Sequence, residues 1–165
     1  MANILEFLEV ANKQITGKGT TPDALKYRKV NEVEYNGLNT EVSFGKGRAT
    51  NVPWIAFLGY NQTVSRGIYP VLLYYKDFNL LILSYGVSEN NEPTDSWSNS
   101  ESLDTIMDYF EQNQLGQPKK YGNSFVHKVY KTDQILNEKL IQEEILELTK
   151  FYHSFLKKEV LQKHP

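Results

Sequence analysis

The segment between residues 43 and 75 carries the side chains whose types and spacing are most unusual. In the run SFGKGR, at residues 43–48, Lys46 stands between two glycines and an arginine follows. Glycine has no side chain, so such a loop can bring its backbone close to another backbone. Pro53 and Trp54 come next, and the indole of Trp54 is the largest flat surface that a side chain offers. The segment therefore combines a basic close-approach loop with an aromatic plane.

Catalytic chemistry is poorly represented in the sequence. The chain has no cysteine, which excludes disulfides, thiolate metal sites, a cysteine nucleophile and the zinc deaminase pattern. His127, His153 and His164 are widely spaced, which favours packed or solvated side chains over a metal cluster. The run GKGT at residues 17–20 lacks the first glycine of a phosphate-binding loop, since Asn12 stands there, and we interpret it as a turn. We expect a non-catalytic protein, and a hidden carboxylate acid–base pair is the less favoured interpretation.

Composition limits the classes of protein to consider. The 165 residues are enough for one domain, and 40% hydrophobic with 23% charged residues is ordinary for a globular protein. No apolar run approaches the roughly 18 residues of a membrane span, and we expect a cytoplasmic protein without a secretory signal. The net charge of -2 argues against a protein that holds nucleic acid mainly by electrostatics. Binding of nucleic acid would therefore need a local basic patch and a non-electrostatic anchor.

The elements that must position these residues begin with two helices. Apolar residues at helical spacing predict a first helix whose buried face comprises Ile4, Leu8, Ala11 and Ile15. Thr21 and Pro22 are typical of the cap and first position of a second helix, which we expect to reach about Val30. A polar stretch follows to Asn39.

Short runs rich in β-branched, aromatic and aliphatic residues then predict strands. These runs are residues 41–44, 54–58, 68–75, 80–85 and 125–130. Residues 76–79 between two apolar runs predict a hairpin turn. Pro70 indicates an edge position or a local bend, because proline cannot donate to a strand ladder.

Two further helices complete the prediction. Ser100 is expected to cap a helix with Leu103, Ile106, Met107 and Phe110 on its buried stripe, between loops at 88–100 and 112–123. Thr132 is expected to start a long closing helix over about 132–162. The sequence thus predicts one α+β domain over residues 1–165, with a mostly antiparallel central sheet and flanking helices.

Several blocks in one order resemble the N-terminal DNA-binding domain of McrB, the recognition subunit of the McrBC restriction system. The blocks are SFG (43–45), PWIAFLG (53–59), GIYPV (67–71), LYYKDF (73–78), YG (85–86), NEP (91–93), Trp97 and PKKYG (118–122). The resemblance covers about residues 43–124, roughly half of the chain. Several blocks at similar spacing are far more specific than a single motif.

The resemblance implies a reader that extrudes 5-methylcytosine or 5-hydroxymethylcytosine from double-stranded DNA into a pocket. Carried over residue by residue, the pocket walls would be Trp54, Tyr69, Leu73 and Tyr121. In a regular strand Tyr69 and Leu73 share a face but lie about 13 Å apart, so both reach one base only if the strand bends. Trp97 is expected to anchor the loop before it rather than to contact a base.

A second set of residues would form the loop that probes the duplex and the contacts to its backbone. These residues are Ser43, Gly45, Lys46, Gly47, Arg48, Arg66, Lys119 and Lys120. Lys46 departs from the pattern, since the best-known relative of the family has a tyrosine at this position. A lysine cannot fill a vacated base stack, but it can contact a phosphate or a guanine edge.

The family also implies partners that this sequence does not contain. An AAA+ GTPase motor follows the domain in the parent chain, and a separate McrC-type subunit supplies the nuclease. GTP and Mg are therefore expected only with the motor, no cofactor is expected here, and the isolated domain is expected to be monomeric. The alternatives are a reader of another modification or of unmodified sequence, a base-acting enzyme such as a glycosylase, and a protein-interaction module with an aromatic groove.

Overall fold

A six-stranded antiparallel sheet forms the centre of the molecule. The computed structural model describes residues 1–163, with side chains described as far as Leu156. The strands are β1 (Glu34–Tyr35), β2 (Leu38–Ser43), β3 (Trp54–Leu58), β4 (Ile68–Tyr75), β5 (Leu80–Val87) and β6 (Phe125–Lys131). They are ordered β1-β2-β3-β4-β5-β6, so every strand pairs with its neighbour in sequence. β4 and β5 are buried on both faces, which is why their sequences are continuously apolar.

Four α-helices cover the two faces of this sheet. They are α1 (Ile4–Lys13), α2 (Pro22–Asn31), α3 (Ile106–Gln112) and α4 (Glu138–Lys163). Tyr74 and Tyr75 point to opposite faces because successive strand residues alternate. The Tyr74 hydroxyl donates to Asn12 at 2.7 Å, whereas the Tyr75 ring packs edge-on against Phe110 of α3 at 5.0 Å between centroids. The sheet therefore has an α1 face and an α3 face, and the predicted α+β class is confirmed.

Pro70 lies in an interior strand, at the point where pairing between β3 and β4 stops. The last paired residues of these strands are Ala56 and Val71. Beyond them, the hydroxyl of Tyr152 from α4 accepts the Gly59 N–H at 3.0 Å and donates to the Ile68 carbonyl at 2.7 Å. A proline is tolerated here because β3 no longer pairs with this part of β4, and the Tyr152 hydroxyl bonds to the nearby backbone groups instead.

Several predicted elements agree with the structure. The strands over residues 54–58 and 68–75 have the predicted bounds, and the turn at 76–79 is a 3-10 turn that ends with Asn79 at a φ of 53°. Trp97 is buried and donates its indole N–H to the Gly86 carbonyl at 3.0 Å, so it does anchor its loop. His127 lies between Tyr85 and Glu144, whereas His164 lies outside the described residues.

Other elements begin elsewhere than the sequence patterns predicted. β2 starts at Leu38 rather than residue 41, because the two-residue β1 forms a hairpin with it. Ser100 opens only a 3-10 turn, and α3 starts at Ile106 behind a capping box of Thr105 and Asp108. Ile15 lies beyond α1, and its side chain is 67% exposed.

The closing helix begins six residues after Thr132. Residues 132–137 form a short turn followed by an irregular stretch, and the Asn137 side chain accepts the N–H of Leu140 at 3.2 Å. An asparagine oxygen is a strong helix cap, and it defines the start of α4 at Glu138. Among the residues that the structure describes, no helix has the length and apolar character to cross a membrane.

Candidate functional site

Trp54 and Leu73 lie opposite each other on the α3 face of the sheet. They are register partners between β3 and β4, and the neighbouring pairs join Ala56 to Val71 and Ser43 to Trp54. Leu73 is fully buried, whereas the indole of Trp54 is half-buried. Trp54 is thus the member of the predicted pocket that borders open space, and Leu73 lies directly across from its backbone.

Tyr69 and Tyr121 join through their hydroxyl groups, 2.9 Å apart. The Tyr69 hydroxyl also donates to the carbonyl of Val64 at 2.9 Å. A phenol has one proton, so Tyr121 must donate to Tyr69. Both rings are buried, and burial raises the pKa of Tyr121 to about 12 and that of Tyr69 still further. Both hydroxyls are therefore neutral at physiological pH.

The backbone of Tyr121 has an unusual conformation. Its φ is 60°, the left-handed region that non-glycine residues rarely adopt. Hydrogen bonds hold this turn: Ser124 N–H donates to the Tyr121 carbonyl at 3.1 Å, and Met107 N–H donates to the Gly122 carbonyl at 3.0 Å. Residues 121–124 are thereby fixed against the start of α3, which directs the Tyr121 ring toward β4. A left-handed non-glycine residue held in this way is typical of functional sites.

A cavity of about 770 Å³ opens beside Trp54. This volume lies within the range of about 300–1,000 Å³ that is usual for small-molecule sites. Its walls come from α2, from the end of β2 with the loop after it, and from the turn at residues 63–65. The wall residues that could contact a bound ligand include Glu41, Ser43, Gly45, Lys46, Gly47 and Trp54. The structure therefore brings four residues of the predicted probing loop together with one predicted pocket wall.

Tyr69, Leu73 and Tyr121 do not line this cavity. Tyr69 is nevertheless connected to it, because its hydroxyl binds the carbonyl of Val64, which does line the cavity. Leu73 is connected through its register partner Trp54. The predicted pocket residues thus fall into two pairs, Trp54 with Leu73 and Tyr69 with Tyr121, and the cavity borders Trp54.

The loop after β2 depends on glycine at residue 45. The φ of Gly45 is 117°, and a side chain there would overlap the Arg48 carbonyl and lie 2.8 Å from the Thr50 nitrogen. Thr50 N–H donates to the Phe44 carbonyl at 2.9 Å and closes the loop. Gly47 also has a positive φ, of 75°, but its surroundings are open. The loop is therefore tightly folded at its base and exposed at Lys46, Gly47 and Arg48.

A second glycine-rich loop, at residues 17–20, pairs with this one. Ala49 N–H donates to the Lys18 carbonyl at 2.7 Å, Gly17 N–H to the Ala49 carbonyl at 2.9 Å, and Thr20 N–H to the Gly47 carbonyl at 3.2 Å. Gly19 and Arg48 form a β-bridge. The local sequence pattern predicts only a turn at residues 17–20 and does not indicate this partner. Lys18 therefore joins Lys46 and Arg48 in one structure, which we name the paired basic loops (residues 17–20 and 45–49).

The other predicted basic residues lie at the borders of this region. Lys120 donates from Nζ to the Thr50 hydroxyl at 3.1 Å, which places it at the base of the 45–49 loop. Lys119 lies 4.0 Å from the Asp77 carboxylate in an exposed ion pair. Arg66 belongs to the turn whose residues Thr63 and Ser65 line the cavity, and its N–H donates to the Thr63 hydroxyl at 3.1 Å. None of Arg48, Arg66, Lys119 and Lys120 lines the cavity itself.

Within the part of the chain that the structure describes, no three His, Asp or Glu side chains form a group that could hold a metal ion. The arrangement around the cavity is instead suited to binding: a flat indole, exposed cations on tightly folded loops, and buried neutral tyrosines behind them. Such an arrangement can stack a flat ligand on the indole and offer it cations from the loops and carboxylates from Glu32 and Glu41.

Fold and cavity together define the chain as an α+β domain with a cavity beside its second and third strands. The family described as "MrcB-like, N-terminal domain" matches residues 9–157, and the chain belongs to this family. The resemblance found in the sequence is therefore confirmed. A relative from Escherichia coli strain K12, "Type IV methyl-directed restriction enzyme EcoKMcrB subunit", is 50% identical over 92 residues, or 55% of this chain. The match spans 20% of that relative's length.

Proposed function

We propose that this chain is the DNA-binding specificity domain of a modification-dependent restriction system. It recognises 5-methylcytosine or 5-hydroxymethylcytosine in double-stranded DNA, and it flips the modified base out of the duplex. Family membership and the methyl-directed restriction named for the relative support the class. The observation that carries the proposal is the cavity that the indole of Trp54 and the Gly45–Gly47 loop line together.

The energetics of base flipping fit an aromatic site. Extruding a base costs a few kcal/mol in lost stacking and pairing. Stacking on an aromatic side chain returns about 1–3 kcal/mol per base, so Trp54 offsets much of that cost. A buried C5-methyl group adds roughly 0.8 kcal/mol. This balance gives a preference for the modified base rather than absolute discrimination.

The four pocket residues have different roles in this proposal. Trp54 is the stacking surface, because it is the one that borders the cavity. Leu73 is the fully buried register partner of Trp54, so the C5 substituent would pack against it only once the side chains between Leu73 and the cavity move on DNA binding. Tyr69 and Tyr121 are the neutral, hydrogen-bonded pair buried behind them, which supports this side of the site.

The paired basic loops supply the contacts to the DNA backbone. The net charge of -2 leaves little general attraction for DNA, so local cations must do this. Lys46 lines the cavity, Lys18 and Arg48 belong to the same paired basic loops, Arg66 lies in the turn that lines the cavity through Thr63 and Ser65, and Lys120 lies at the base of the 45–49 loop. Ser43, at the end of β2, lines the cavity and has a hydroxyl to donate to phosphate.

The remaining parts of the restriction system lie outside this domain. We propose a non-catalytic cytoplasmic reader, monomeric when free, that acts in host defence. An AAA+ motor in the parent chain would use GTP and Mg, and an McrC-type subunit would cut the DNA. The domain itself would use no cofactor.

Competition binding with matched duplexes tests the proposal. The duplexes are identical except at one cytosine, which carries hydrogen, methyl or hydroxymethyl at C5. We expect both modified duplexes to compete better than the plain duplex. A fluorescent base analogue beside the modified cytosine should brighten on binding, because a flipped neighbour no longer quenches it. Equal affinity for all three duplexes would refute recognition of the modification, and release of free base would show an enzyme instead.

A further inference from the structure

The cavity wall contains a carboxylate that the proposed function does not yet use. Glu41 of β2 lines the cavity together with Trp54. Register pairs Ser43 with Trp54 and Glu41 with Ala56, so Glu41 lies one diagonal step from Trp54 on the same face of the sheet. Diagonal neighbours have side chains about 7–8 Å apart, a separation that long side chains bridge. A flat base that stacks on Trp54 would therefore present one edge toward Glu41.

The charge of Glu41 also reaches the tyrosine pair. After burial and the charge of Glu89, it contributes to raising the pKa of Tyr69 and of Tyr121. One carboxylate on the cavity wall thus lies a diagonal step from Trp54 and adds to the electrostatic potential at the two buried hydroxyls.

The neighbouring acidic residue of the cavity wall, Glu32, already has a hydrogen bond and an ion pair within the protein. Glu32 accepts the N–H of Val42 at 2.9 Å and forms an ion pair with Arg28 at 3.4 Å. Within the described part of the chain, the Glu41 carboxylate makes no hydrogen bond or ion pair. Arg28, which also lines the cavity, provides a favourable charge for Glu41, and the exposed carboxylate remains available to a hydrogen-bond donor that enters the cavity.

We propose that Glu41 is a specificity-determining residue that accepts a hydrogen bond from the exocyclic N4 amino group of the flipped cytosine. The inference rests on the proposed function and deepens it. Cytosine presents an amino donor at C4, whereas thymine presents a carbonyl acceptor there. A carboxylate accepts from the first and repels the second. The C5 substituent is identical in 5-methylcytosine and thymine, so Glu41 gives the domain a way to reject thymine that the methyl pocket cannot supply.

The test compares 5-methylcytosine and thymine at one position opposite an abasic site. Neither base is paired there, so the cost of extrusion does not include broken base pairs. We expect the unaltered domain to prefer 5-methylcytosine by roughly tenfold or more, the range of one hydrogen bond to a charged group. Glu41→Gln should bring the ratio close to one, because an amide can present its acceptor to cytosine or its donor to thymine. Glu41→Ala should also lower the ratio.

Glu89→Gln is the matched control. It removes the same charge, and Glu89 also raises the pKa of Tyr69 and Tyr121, but Glu89 does not line the cavity. Its ratio should equal that of the unaltered domain. An unchanged ratio in Glu41→Gln, or an equal change in both variants, would overturn the role of Glu41. Failure of the proposed function itself would look different, since the unaltered domain would then not distinguish 5-methylcytosine from cytosine in a paired duplex.

Discussion

The hydroxyl of Tyr121 donates a hydrogen bond to the hydroxyl of Tyr69, which in turn donates to the carbonyl of Val64. This chain of two bonds ties the loop after α3 to the centre of the sheet and to the cavity wall. Its direction is fixed, because each phenol has a single proton. The two tyrosines are therefore not equivalent, although both are buried.

Removing either hydroxyl should reveal this difference. Tyr121→Phe deletes one donor and leaves the Tyr69 to Val64 bond intact, so we expect a loss of about 0.5–1.5 kcal/mol in the free energy of unfolding. Tyr69→Phe removes the donor to Val64 and also leaves the buried Tyr121 hydroxyl without its acceptor, so its cost should be larger. Urea unfolding of both variants measures the two costs. Equal costs, or the reverse order, would contradict the assigned direction.

The same two tyrosines predict how stability depends on alkaline pH. Burial raises the pKa of Tyr121 to about 12, and burial raises that of Tyr69 as well, whereas both ionise near pH 10 in an unfolded chain. A folded-state pKa above the unfolded value gives stability that is complete below pH 10 and is lost as pH rises toward 12. Urea unfolding at steps of pH measures the loss, and Tyr121→Phe should reduce it. A free energy of unfolding that stays constant up to pH 12 would contradict this.

The sheet was largely predictable because strand patterns are local. Alternating or continuous apolar runs between turn residues predicted β3 and β4 at their observed bounds, and the turn residues predicted the hairpin between β4 and β5. β1 was missed because two residues are too few to show a period. The start of α4 was predicted too early because the segment before it contains several polar residues that can cap a helix. The sequence does not show that Asn137, whose side chain accepts the Leu140 N–H, is the one that does so.

The site was predictable only in its parts. Resemblance supplied Trp54 and the 43–48 loop, and the structure places them around one cavity. Two features of the site could not be predicted: α2 forms part of the cavity wall, and residues 17–20 pair with residues 45–49. In each case the segments are separated in sequence, and no sequence pattern links them. Such contacts depend on how elements pack, so neither Lys18 nor Glu41 could be assigned a role beforehand.

Trp54 should dominate the affinity for modified DNA. Trp54→Ala removes the stacking surface, and we expect a loss of about 1–3 kcal/mol in binding. Trp54→Phe keeps a smaller ring and should recover part of it. Fluorescence anisotropy with a methylated duplex measures both, and thermal unfolding shows whether each variant is folded. A folded Trp54→Ala variant with unchanged affinity would remove Trp54 from the site.

The two glycines of the loop should respond differently to substitution. Gly45→Ala puts a methyl group against the Arg48 carbonyl at a positive φ, so we expect about 1–3 kcal/mol of strain and a disordered loop. Gly47→Ala meets no atom within 4 Å and should cost only its backbone conformation, about 1 kcal/mol. DNA affinity should fall more for Gly45→Ala. Equal losses in stability and affinity would show that the close contact at Gly45 does not matter.

The paired basic loops make a prediction about Lys18, which lies far from Lys46 in sequence. If both lysines contact phosphates, Lys18→Ala and Lys46→Ala should each lower the slope of log affinity against log salt by about one. Their effect should be the same for methylated and plain duplexes, because phosphate contacts carry no base information. Lys139→Ala, at the start of α4, is the control and should leave the slope unchanged. An unaltered slope for Lys18→Ala would show that only the 45–49 loop contacts DNA. Residues 17–20 would then hold the 45–49 loop in place without contacting DNA themselves.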